Sequence, residues 1–144
     1  NTLVHKRPYF SFHGGTFTAN PITMTAGLAT LKILEDGRLI SKLNRLGDSV
    51  REQTRETFEK KGVVVQVTGT SSLFNIHFTK AVVNDACDAF RADRKKQVDY
   101  NMSLIENGVF ILPTHIASLS TAHSKADIGK FLSATEEYAK ICRH

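Results

Sequence analysis

The sequence has little of what would staple a small fold or carry it through a membrane. Its 144 residues include two cysteines, three prolines and no tryptophan. The most apolar stretch, from Leu28 to Leu34, is interrupted by Lys32 and bounded by Glu35 and Asp36. It falls well short of the roughly 20 residues that cross a bilayer, so no membrane span and a soluble protein are expected. Cys87 and Cys142 lie far apart with no metal-ligand spacing beside them, in a chain long enough to bury a core without staples. Reduced thiols in a cytoplasmic protein follow as the expectation. The first residue is Asn, and no charged segment followed by an apolar one opens the chain, so neither a translation start nor a signal peptide is visible. That fits a processed chain or a piece of a longer one. The histidines at positions 5, 13, 77, 115, 123 and 144 show no paired metal-ligand spacing, and zinc is not expected. Without a Gly-x-Ser-x-Gly elbow or a Walker-type loop, nucleophilic hydrolysis and nucleotide hydrolysis lack support.

What is present is an ordinary globular balance, with 41% hydrophobic residues and a net charge of +5. A charge of this sign suits an acidic partner, but the basic residues sit beside acids, as in Arg51-Glu52 and Arg55-Glu56. The densest basic group, Arg91-Ala92-Asp93-Arg94-Lys95-Lys96, reads as a solvated helix face. No nucleic-acid partner is expected. A basic α/β binding module without catalysis is the alternative, and salt-dependent binding to a short duplex would be its signature.

The character of the chain changes near residue 37. The glycine pair in His13-Gly14-Gly15 announces a tight backbone path, Asn20 suits an N-cap and Pro21 the first helical position. The helix this predicts carries Ile22, Met24, Ala26, Leu28, Leu31, Ile33 and Leu34 nearly all round, the pattern of a helix buried on most sides. A chain of this size would struggle to cover it, and left exposed it predicts self-association. After Asp36-Gly37 a second helix places Leu39, Leu43, Leu46, Val50 and Phe58 on one stripe and closes at Gly62. Strands are expected over 63–68 and 73–78 around a turn centred on Gly69. A helical region over 84–106, in one piece or two, stops at Asn107-Gly108. A short strand over 109–112 and a fourth over 117–121 precede a last helix, opened by a capping-box relative in Ser124 and Asp127. The fold class expected is α/β in the α+β sense: a mainly antiparallel sheet of three to four strands covered by helices.

A Gly-Gly-Thr turn running into a helix N-terminus is a reasonable anion site, since glycine lets amides converge, Thr16 adds a hydroxyl and the helix dipole favours negative charge. Taken alone, the pattern equally suits a structural turn. The whole string His13-Gly14-Gly15-Thr16-Phe17-Thr18-Ala19-Asn20-Pro21, with the Ala-rich run after it, resembles the phosphate-binding segment of class III (fold-type I) aminotransferases. Those enzymes depend on pyridoxal 5'-phosphate (PLP). Asn107-Gly108-Val109-Phe110-Ile111-Leu112-Pro113 and Leu119-Ser120-Thr121-Ala122-His123-Ser124-Lys125-Ala126-Asp127-Ile128 are similar to later segments of the family, the second to its glutamate-1-semialdehyde aminomutase branch. Many transaminases of the class carry an arginine near this last stretch, and here there is none. The segment between Pro113 and Ser120 is shorter than in aminomutases and lacks their acidic residue.

The resemblance implies that Gly15 and Thr16 contact the cofactor phosphate, Thr16 doing so in the active site of a neighbouring subunit, and hence a homodimer acting on a small amino-acid-like substrate. It implies that residues 1–37 belong to the large cofactor-binding domain and dimer interface, and 38–144 to the C-terminal small domain. The reaction implied is transfer of an amino group, in the aminomutase branch the conversion of glutamate-1-semialdehyde to the tetrapyrrole precursor 5-aminolevulinate. An amine or β-amino acid transaminase is the alternative within the family. The family's Schiff-base lysine and the aspartate that pairs with the pyridinium nitrogen would fall before residue 1. No catalytic residue is therefore assigned, and this stretch alone is expected to be inactive. Lys6, in Val4-His5-Lys6-Arg7-Pro8, does not match the lysine context and is read as a surface or interface residue. His13 is read either as lining the cofactor pocket or as packing beside the glycines, and His123 as a structural hydrogen-bonding residue.

Overall fold

The computed structural model describes residues 14–142; Lys6 and His13 lie outside them. The chain divides into two compact units, Asn1–Arg38 and Leu39–His144. In the first, a turn over residues 16–19 leads into helix α1 (Pro21–Leu34). The Asn20 side chain caps α1, with Pro21 in the first turn, as its sequence predicts. None of the α1 residues is buried, and Ile22 and Ile33 are 80% and 67% exposed. The apolar circumference is therefore present without a cover.

The second unit is built on helix α2 (Arg38–Lys60), a β1–β2 hairpin (Gln66–Thr70 and Leu73–His77), helices α3 (Ala86–Arg91) and α4 (Arg94–Glu106), the two-residue strand β3 (Ala117–Ser118) and helix α5 (Lys125–Ile141). The sheet is antiparallel throughout in the order β1-β2-β3. It realises the expected mixture of a small antiparallel sheet and covering helices. Helix α2 ends in a Schellman arrangement: the Gly62 N–H donates to the Glu59 carbonyl at 2.9 Å and the Val63 N–H to the Phe58 carbonyl at 3.0 Å. The end of α4 repeats it, with Gly108 and Val109 donating to Ile105 and Leu104. The Ser124–Asp127 capping box forms in full at the start of α5.

Alternation along β2 sends Phe74 and Ile76 into the core, and Phe78 just beyond the strand joins them. There they meet Val50 and Phe58 from α2, Tyr100 and Leu104 from α4, and Ile128, Phe131 and Tyr138 from α5. Rings pack edge-on, Phe58 against both Phe78 and Tyr100 at 5.6 Å between centroids. Two of the buried polar groups here pair with each other. Tyr100 Oη lies 2.8 Å from Thr135 Oγ1, which itself donates to the Phe131 carbonyl at 2.9 Å, so the phenol is the donor. Burial pushes that phenol above its ordinary range.

Three local expectations are corrected. The hairpin turn is at Ser71-Ser72, with Ser71 in the left-handed region at φ 55°, and Gly69 lies within β1 opposite Phe74. A Cβ on Gly69 would come within 2.2 Å of the Leu73 carbonyl oxygen and 2.6 Å of Phe74 Cα. Glycine is required there for close backbone approach rather than for turning. Val63 and Val65 are buried in the core but precede the ladder, which starts at Gln66. Residues 109–112 are in no strand, and the expected fourth strand is reduced to Ala117–Ser118. Val109 and Ile111 still pack against the core.

Candidate functional site

The turn that holds Gly15 and Thr16 is closed by local hydrogen bonds, from the Thr18 N–H to the Gly15 carbonyl at 3.0 Å and from the Asn20 N–H to the Phe17 carbonyl at 3.2 Å. Ala19 takes a left-handed conformation at φ 57°, which costs a residue with a Cβ about 1–2 kcal/mol. Such outliers persist where the surrounding structure dictates the path. The demand here is that the chain reverse just before the helix.

Asn20 then uses up the opening of α1. Its Oδ1 accepts from the Ile22 N–H at 2.9 Å and the Thr23 N–H at 3.4 Å, its carbonyl accepts from Met24 at 2.9 Å, and Pro21 has no N–H. The first amides of the helix are thus engaged internally. An anion at this end would be met by the turn ahead of the helix, where Gly15 and Thr16 adjoin and the Thr16 side chain is exposed, with the helix dipole behind it. The donor set, the hydroxyls of Thr16 and Thr18 with neighbouring amides and no carboxylate in the turn, fits a phosphate.

His77, 5% exposed, sits with its Nε2 2.9 Å from Thr68 Oγ1, and burial lowers its pKa below the ordinary imidazole value. It is a neutral hydrogen-bonding residue of the hairpin. His123 Nδ1 accepts the Ser120 N–H at 2.9 Å, which fixes the turn before α5 and agrees with a structural role. In the basic segment, Arg91 pairs with Asp88 at 3.3 Å, Lys95 with Asp99 at 3.6 Å, and Arg94 lies 5.2 Å over the Phe90 ring. These are neighbours on exposed helix surface. Cys87 and Cys142 are both free. Among the described residues, no helix is long and apolar enough to cross a membrane.

Two features went unread in the sequence. The first is a clamp on the hairpin turn: Arg51 Nη1 donates to the Ser71 and Leu73 carbonyls at 2.8 and 3.0 Å, its other nitrogen pairs with Asp48, and the Ser71 hydroxyl meets Asn44. The second is a cavity of about 400 Å³ between residues 108–112, β3 and the start of α5, walled by Val109, Ile111, Leu119 and Phe131, with His123 and Lys130 among its polar lining. Neither has a local motif. The clamp joins positions 20 and 22 residues apart, and the cavity is made by segments that meet only in the fold.

The class III aminotransferase family matches residues 1–129. A glutamate-1-semialdehyde 2,1-aminomutase from Methanothermobacter thermautotrophicus is 38% identical over 128 residues, covering 88% of this chain and 30% of the relative. Among solved structures, an omega-transaminase from Sphaerobacter thermophilus superposes with a TM-score of 0.76 at 31% identity, over 93% of this chain and 31% of that one. A β-phenylalanine aminotransferase from Variovorax paradoxus gives 0.79 at 28% identity, over 94% and 32%. The chain thus spans about a third of the length of the proteins it matches. A turn suited to phosphate, an Asn20-capped helix, a small antiparallel domain and a match over nine-tenths of the sequence lead to one conclusion: the chain belongs to the class III aminotransferase family.

Proposed function

We propose that this chain is the C-terminal part of a PLP-dependent enzyme that moves an amino group within a small substrate, of the kind that converts glutamate-1-semialdehyde to 5-aminolevulinate. The observation that carries this reading is the Gly15-Thr16 turn ahead of the Asn20-capped helix, in a chain 38% identical to an aminomutase. Residues 1–37 would belong to the large cofactor-binding domain and the dimer interface, and 38–144 to the small domain. PLP, when bound, supplies the electron sink for bond breaking next to the amino carbon. In this chain Thr16 holds the cofactor phosphate through its hydroxyl and N–H, with Gly15 allowing close approach, and does so across the interface of a cytoplasmic homodimer. The lysine that bonds the cofactor and carries the proton lies in the preceding portion of a family-length chain.

A second reading, an amine or β-amino acid transaminase, is favoured by the two solved neighbours, an omega-transaminase and a β-phenylalanine aminotransferase. Product analysis separates them. A family-length protein that forms 5-aminolevulinate from glutamate-1-semialdehyde without an added amino acceptor is the mutase; one that requires an acceptor is a transaminase. The phosphate role has its own test, because a hydrogen bond to a charged group contributes about 1.5–3 kcal/mol. Thr16→Ala in the family-length protein should weaken PLP retention roughly tenfold or more, whereas Thr16→Ser should largely keep it. Equal retention in the alanine variant would remove Thr16 from the site.

A further inference from the structure

We draw no further inference here: the strongest candidate, the cavity between residues 108–112, β3 and the start of α5, opens among the exposed side chains of Phe110, Leu112 and Ile116, and nothing in the structure shows what covers it.

Discussion

His77 shows how one residue's surroundings decide its chemistry. In the sequence it is one of six histidines, on the polar side of an alternating strand, and nothing there distinguishes it from an exposed imidazole. In the fold it is buried against Thr68 and its pKa falls, with desolvation as the cause. A base whose folded pKa is depressed takes up its proton more readily in the unfolded chain. Its contribution to stability is therefore complete above the unfolded value of about 6.5 and is lost as pH falls below it. Thermal melts should show a decline in stability between about pH 7 and about pH 5 that is shallower in His77→Gln. An identical slope in the variant would mean that another group titrates there. Thr16 presents the opposite case: the phosphate role proposed for it rests on its neighbours in sequence, because a turn of that kind is local and its donors are contiguous.

At the level of elements, what could be read in advance followed the range of the forces involved. Helices were legible because their period and their caps lie within a few residues, as with Asn20 before α1 and Ser124–Asp127 before α5. Strands were less so, because alternation reports which side chains are buried and not whether the backbone finds a partner. Val63 and Val65 have the burial of strand residues and stand outside the ladder, while Val109 and Ile111 reach the core from a segment in no strand. The packing of α2 on the hairpin turn has no local signature, and Gly47 is where it occurs. A Cβ at Gly47 would stand 1.8 Å from the Ser71 carbonyl oxygen. Helix propensity alone predicts that Gly47→Ala stabilises by about 1 kcal/mol. The contact predicts the reverse, because the obstructing atom is backbone held by Arg51 and Asn44 and cannot move aside. Overpacking of this kind costs about 1–3 kcal/mol, so denaturant unfolding should show Gly47→Ala less stable than the parent. A more stable variant would show that the turn is free to shift.

For the whole molecule, the decisive fact is the division of labour between what this chain holds and what its family needs. Helix α1 carries an apolar circumference with no buried residue, as a helix does when its cover comes from further polypeptide or another subunit. The chain spans 30% of the aminomutase it matches at 38% identity. The segments similar to the family account for the Gly15-Thr16 turn and the unit with the antiparallel sheet, but for no lysine in the family's cofactor-bonding context. Lysines are not scarce here, and free PLP reacts transiently with many amines, so mere colour on mixing would say little. What distinguishes an enzyme's lysine is a site that makes one linkage persist while the others exchange. PLP added to this chain alone should therefore give no single borohydride-trappable lysine linkage when the product is digested and mapped, whereas a family-length protein should give one, upstream of the segment matching residue 1. A dominant adduct on Lys6 of the short chain would overturn the assignment of that chemistry to the preceding portion. Scattered low-level labelling is the outcome expected of a chain that holds no such lysine.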